Sequence, residues 1–311
     1  MKKLICFLIL TLGILGCSSN EDNKTSAFER IDAYTTQSLT DISFINKNQG
    51  IICGTFGFLA KTNTGGKTWG VLNTGDKQTF MSAFMLNEQK FYTARIDMFV
   101  TTNSGTTFNK IESISGGPTI FDIKFFNPSK GLLVRAGSIL KSDDSGNTWI
   151  KKYDGPTVDN LVITSDLVAY AYGGYTNNVI DKGIIVKTLD GGETWTQTLA
   201  SDSDILSLSF ISDNIGYYIT SKHELYKTSN GSTSWTKVSN LPGSGSPTSV
   251  CFINENTGYF STDEGKIFET KNAGVDWKIV YNKTTDLIWK IISKDGAVYA
   301  IGDNGLFLKK K

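Results

Sequence analysis

Apolar and polar residues alternate with a period of two along most of the chain, as in Asp41-Ile42-Ser43-Phe44-Ile45, Phe121-Asp122-Ile123-Lys124-Phe125-Phe126 and Leu206-Ser207-Leu208-Ser209-Phe210. That period predicts β-strands with one buried side. A second short run follows each of these, opened by glycine: Gly50-Ile51-Ile52-Cys53-Gly54, Gly131-Leu132-Leu133-Val134-Arg135 and Gly258-Tyr259-Phe260. A third run leads into a polar turn that closes on an aromatic residue, and a fourth starts from that aromatic. Each unit therefore reads as a four-stranded meander. First strands begin near residues 41, 80, 121, 160, 206, 248 and 287, which makes seven units.

The polar turns are copies of one another. They are Thr62 to Trp69 (TNTGGKTW), Thr101 to Phe108 (TTNSGTTF), Ser142 to Trp149 (SDDSGNTW), Thr188 to Trp195 (TLDGGETW), Thr228 to Trp235 (TSNGSTSW) and Thr270 to Trp277 (TKNAGVDW). The closing aromatics lie 39, 41, 46, 40 and 42 residues apart, the length of one blade of a β-propeller. The expected fold class is all-β: a seven-bladed propeller of four-stranded antiparallel blades. Six turns for seven units leave one outer strand missing, because the chain stops at Leu306-Phe307-Leu308-Lys309-Lys310-Lys311. The segment Phe28-Glu29-Arg30-Ile31-Asp32-Ala33-Tyr34 reads as that strand, closing the ring from the N-terminal side and removing two sheet edges.

Each turn resembles the Asp-box, or BNR repeat, of pattern Ser/Thr-x-Asp-x-Gly-x-Thr-Trp. The acceptor position is filled by Asn103, Asp144, Asp190, Asn230 and Asn272; the glycine by Gly66, Gly105, Gly146, Gly192 and Gly274; the aromatic by Trp69, Phe108, Trp149, Trp195, Trp235 and Trp277. The third and fourth copies match fully, while Thr64, Ser232 and Asp276 are among the departures. The acid or amide is expected to bond backbone amides, the glycine to supply positive φ, and the aromatic to cap the hydrophobic layer. Asp144 and Asp190 also permit a calcium-loop reading, but the repeats lack the dense carboxylate series such a loop needs. No metal and no cofactor is expected.

Met1-Lys2-Lys3 followed by the apolar run Leu4 to Leu15 reads as a secretory signal, too short to span about 30 Å of hydrocarbon. The run ends in Ile14-Leu15-Gly16-Cys17, which resembles the bacterial lipobox, with Leu15 bulkier than the usual residue there. That resemblance implies a signal peptide over 1–16, lipidation at Cys17 and a flexible anchored tether over 17–26, with the propeller occupying 27–311. Ser18 after the cysteine, and the acidic pair Glu21-Asp22, resemble outer-membrane lipoproteins facing the periplasm or the surface. Cys53 and Cys251 lie in apolar strands and are expected as buried free thiols.

The longer repeat, a Gly-aromatic strand, a Gly turn and a Lys-Thr strand before the box, resembles the photosystem II assembly and stability factor family. Gly50 to Thr62 and Gly258 to Thr270 carry it best. The resemblance implies a non-enzymatic propeller that binds protein partners in the envelope. Sialidases share the box, but only a broken echo of their Phe-Arg-Ile-Pro motif stands at Phe28-Glu29-Arg30-Ile31. Large xyloglucanases share it as well, which leaves a glycan-binding or glycan-cleaving propeller as the alternative. Asp263, Glu264 and Asp303 are candidates for a carboxylate cluster in that reading, and Trp289 is the one tryptophan outside a box.

Charge and composition narrow the choice. Lys plus Arg number 31 against 30 for Asp plus Glu, so no field attracts a polyanion, and nucleic acid is not an expected partner. Three arginines (Arg30, Arg95, Arg135) and one histidine (His223) exclude most arginine clamps, zinc sites and His-based triads. The box turns must occupy one face of the ring. The opposite face, built from interblade loops and the turns between second and third strands, is the expected binding face. Arg95, Asp97, Arg135, Tyr175 and His223 are its candidate residues, with Lys222 beside them; scattered solvated charge on loop tips is the competing explanation.

Overall fold

The alternating runs become 28 strands among the described residues, in seven antiparallel sheets of four. The computed structural model describes residues 26–177 and 180–311. The expected signal, lipid-bearing Cys17 and nearly all of the tether lie outside the described residues. Innermost strands are Leu39–Phe44, Ser82–Met85, Ile120–Phe125, Asn160–Ile163, Ile205–Phe210, Pro247–Phe252 and Ile288–Lys294, and these define blades 1 to 7. Six blades are continuous meanders. The seventh is not: Phe28–Asp32 pairs antiparallel with Leu306–Lys310, Phe28 opposite Lys310 and Asp32 opposite Leu306. The N-terminal strand thus completes blade 7 and closes the ring, as the missing outer strand required.

Packing between blades explains why the first and second strands are the most apolar. Ile42, Ile52 and Ala60 of blade 1 bury against Tyr299, Ile301 and Phe307 of blade 7, and equivalent clusters fill the other interfaces. Aromatic rings dominate these layers. Trp69 meets Phe307 edge-on at 5.1 Å, and Phe28 lies 6.0 Å and 6.4 Å from Tyr259 and Tyr281. In four blades a tyrosine at the second or third position of the second strand does two jobs. Its ring is buried, while its hydroxyl donates to a carbonyl of the next blade: Tyr92 to Ser145 at 2.6 Å, Tyr170 to Asp213 at 2.8 Å, Tyr217 to Glu255 at 2.8 Å and Tyr299 to Lys47 at 2.7 Å.

The boxes behave as their residue types require. In the third, Asp144 Oδ1 accepts from the amides of Asn147 and Thr148 at 3.0 and 2.9 Å, Ser142 Oγ accepts from the Gly146 amide at 2.8 Å, and Trp149 Nε1 donates to the Gly146 carbonyl at 3.0 Å. Gly146 sits at φ 80°, where a Cβ is strained. The fifth box puts Ser232 there at φ 70° and offsets the strain: Ser232 Oγ lies 3.0 Å from Trp235 Nε1 and 2.6 Å from Thr198 Oγ1. Burial works against ionised Asp190, but the Thr194 hydroxyl and amide and the Thr188 hydroxyl hold its carboxyl at about 2. Cys53 and Cys251 are buried and free.

Candidate functional site

The innermost strands place one residue per blade at the same level around the axis: Asp41, Ser82, Asp122, Asn160, Ser207, Ser249 and Lys290. Most of these side chains bond the backbone of the next blade. Asp41 Oδ2 accepts from the Ala83 amide at 2.9 Å, Ser82 Oγ from Ile123 at 3.1 Å, and Asp122 Oδ2 from Leu161 at 3.0 Å. Farther round, Ser207 Oγ accepts from Val250 at 3.1 Å and Ser249 Oγ from Ile291 at 3.2 Å. Blade 4 contributes the buried Tyr172 to the central lining, together with Ser207 and Leu208 of blade 5. Lys290 finishes the circle, its Nζ 2.6 Å from Asp41 Oδ1.

This belt forms the floor of a cavity of about 290 Å³ that opens on the face made by interblade loops. Two ion pairs cross the floor, Lys290 with Asp41 and Lys124 with Asp122, each at 2.6 Å. Burial alone would raise the Asp41 carboxyl, but the Lys290 ammonium, with Lys124 behind it, holds it below the usual carboxylate range. Lys290 is raised in turn: burial opposes its charge, and Asp41 and Asp122 outweigh that opposition. Met81, Phe121, Leu206 and Trp289 form an apolar wall above. Trp289 is 49 % exposed and is fixed by its Nε1, which donates to Asp303 Oδ1 at 2.8 Å.

Asp159 differs from the other acids of the cavity. It is half-buried in the cavity lining that it shares with Phe121 of blade 3 and Leu206 of blade 5, and its amide donates to the Tyr172 carbonyl at 3.0 Å. Its carboxylate has no hydrogen-bond or ion-pair partner among the described residues. Burial accordingly raises its pKa above the ordinary aspartate value.

The residues expected from the sequence lie elsewhere on the same face. Arg95 and Asp97 occupy the turn between the second and third strands of blade 2, and Arg135 the equivalent turn of blade 3. The loop at 111–117 gathers them. Asp97 Oδ1 accepts from the Gly116 amide at 3.0 Å and pairs with Lys110 at 3.1 Å, while Arg135 donates to the Ile114 carbonyl at 3.1 Å. His223 is in blade 5 at φ 60°, where its carbonyl accepts from Leu241 at 2.7 Å, and Lys222 donates to the Asp202 carbonyl at 2.9 Å. Tyr175 pairs with Lys182 through its backbone, and its side chain lies outside the described residues. The sequence reading missed the central belt, although its signal was present: the inner strands carry Asp, Ser, Asn or Lys immediately before a buried aliphatic residue in every repeat.

Asp263, Glu264 and Asp303 are not gathered into one open acid pair by their bonds. Glu264 is engaged by Ser244 at 3.0 Å and Lys266 at 2.5 Å, and Asp303 holds Trp289. Among the described residues no group of three or more His, Cys, Asp and Glu could hold a metal ion. No helix of the described residues is long and apolar enough to cross a membrane.

Comparison with known proteins agrees with this architecture. A family model described as photosynthesis system II assembly factor YCF48 matches residues 157–310, which are blades 4 to 7. Photosystem II assembly lipoprotein Ycf48 of Synechococcus sp. (strain CC9902) is 23 % identical over 202 residues, 62 % of this chain and 59 % of that protein. The match therefore spans less than two thirds of that relative's length. A solved structure of YCF48 bound to D1 peptide superposes with a TM-score of 0.76 at 18 % identity, covering 92 % of this chain and 97 % of that one. The chain is a propeller of Asp-box repeats that resembles the photosystem II assembly factors. YCF48 from Cyanidioschyzon merolae gives the same TM-score of 0.76 at 16 % identity, with 92 % and 99 % of the two chains covered.

Proposed function

We propose that this protein is a non-catalytic binding scaffold of the cell envelope, held to a membrane by lipid on Cys17, and that its loop face engages a polypeptide partner. The observation that carries the reading is the likeness of the whole ring to YCF48, a propeller solved with a peptide bound. The loop face supports it. Tyr34, Phe56, Ile96 and Trp289 are exposed on blades 7, 1 and 2, and Tyr34 and Phe56 hold left-handed backbone conformations at φ 57° and 54°. Bulky residues in that region of backbone space are strained, and such strain clusters at ligand-binding segments.

The curated relative's name makes it a lipoprotein, which supports the lipobox reading of Ile14 to Cys17, and the outer membrane is the compartment this reading assigns. Arg95, Asp97, Arg135, Tyr175 and His223 form the outer part of the proposed face. Trp289, set on its open ring face, is the one feature that favours a sugar ligand instead.

Cross-linking in native envelopes followed by mass spectrometry tests the reading. It predicts protein adducts on loop-face residues and no turnover of sialosides or β-glucans by the purified protein. Reproducible hydrolysis, or adducts confined to the box face, would overturn it.

A further inference from the structure

The cavity at the ring mouth has a charge imbalance that its own residues do not resolve. Its lining holds three carboxylates, Asp41, Asp122 and Asp159, against two ammonium groups, Lys124 and Lys290. Both ammonium groups are already committed to Asp41 and Asp122 at 2.6 Å. An incoming carboxylate would meet no free cation there. Asp159 is left with a half-buried charge and no counter-ion, an arrangement that costs free energy in the empty protein and is repaired by a cation.

The walls suit the rest of such a ligand. Phe121 and Leu206 line the same mouth from the blades on either side of Asp159, and Trp289 stands on blade 7 across the ring with its indole oriented by Asp303. Long basic side chains bury their methylenes against apolar surface while the charged head reaches a polar partner. A volume of about 290 Å³ lies at the lower end for ligand pockets and suits one long side chain better than a whole small molecule.

We infer that the ring mouth is a pocket for a basic side chain, a lysine or arginine of an extended partner segment, with its charged head on Asp159 and its methylenes against Phe121, Leu206 and Trp289. This rests on the reading of the protein as a polypeptide-binding scaffold, and it names the residue type that the partner must present.

The test is a positional-scanning hexapeptide library bound to the full chain and to its Asp159→Asn and Asp159→Glu variants. The wild-type protein selects lysine or arginine at one position. Asp159→Asn weakens the selected peptide by about tenfold or more, the value of a charge-assisted hydrogen bond, and Asp159→Glu retains most of the affinity. Asp159→Asn also melts at a higher temperature than wild type, because the unpaired buried charge is gone, so lost binding cannot be put down to misfolding. Selected peptides with no basic position, or equal binding by Asp159→Asn, would overturn the inference and leave the scaffold reading standing. Failure to enrich any peptide would overturn both. Displacement of the selected peptide by an equal concentration of spermidine would assign the pocket to a free polyamine and overturn the peptide source.

Discussion

Lys290 gives the sharpest energetic prediction. Its ammonium is the counter-ion of Asp41, a side chain only 2 % exposed that also accepts from the Ala83 amide. Lys290→Met removes the ammonium and keeps much of the stem, leaving a lone carboxylate in the belt. Breaking a buried pair from one side costs about 3–5 kcal/mol, whereas neutralising both partners costs far less. At roughly 2–4 °C per kcal/mol, the single variant should melt on the order of 10 °C lower. The double variant Asp41→Asn/Lys290→Met should recover most of that loss, since the asparagine oxygen can still accept from Ala83.

The pH dependence has a definite sign. In the wild type the Asp41 carboxyl is lowered, so its contribution is present above the ordinary aspartate pKa and is lost only as the pH falls through the folded value. Without Lys290, burial raises that carboxyl, and protonation then relieves the variant. The gap between wild type and Lys290→Met should therefore narrow between pH 7 and pH 4. Circular-dichroism melts of wild type, both singles and the double at the two pH values complete the cycle. The reasoning fails if Lys290→Met costs under about 1 kcal/mol, if the double is as unstable as the single, or if the gap does not depend on pH.

Three further outcomes follow from the fold and the boxes. Phe28→Ala removes a fully buried ring wedged between Tyr259 and Tyr281 and should cost about 3–5 kcal/mol, with amide exchange in Leu306–Lys310 accelerating before that of blade 3 as the closing strand detaches. Asp190→Ala removes the acceptor of the Thr194 amide and hydroxyl and should cost about 1–2 kcal/mol at pH 7 by thermal melt. That difference persists down to pH 4 and disappears as the pH approaches 2, where the Asp190 carboxyl of the wild type itself protonates. Burial, together with the Asp41 charge, pushes the Cys53 thiol up to about 12, and burial pushes Cys251 up to about 11, so neither should react with iodoacetamide at pH 8 until the protein is unfolded.

The ring was legible in the sequence because every repeat states the same local rule. A strand period of two, a glycine-opened second strand and a box closed by an aromatic recur at blade length, and the absent seventh box pointed directly to Phe28 as the start of the closing strand. Repetition also hid the mouth. Asp41 and Asp122 read as the polar half of an alternating strand, and Lys290 as one surface lysine among many. Only closure of the ring brings residue 290 to residue 41 across the junction of the last and first blades. The arginines were conspicuous by rarity, yet Arg135 is spent on holding the Ile114 carbonyl of an interblade loop. Asp159 gave no signal at all, because what sets it apart is the lack of a partner, and partners are a property of the assembled ring.

The proposed role requires polypeptide binding at the mouth, on the loop face. A photo-cross-linking amino acid placed at Trp289 and, in a separate strain, at Leu189 on the box face tests it most directly. Binding at the mouth should give a defined protein adduct from position 289 that disappears when Asp159→Asn is added, and none from position 189. An adduct from position 189 alone, or none from position 289, would contradict binding at the mouth; an adduct at 289 that is indifferent to Asp159 would overturn only the basic-side-chain pocket.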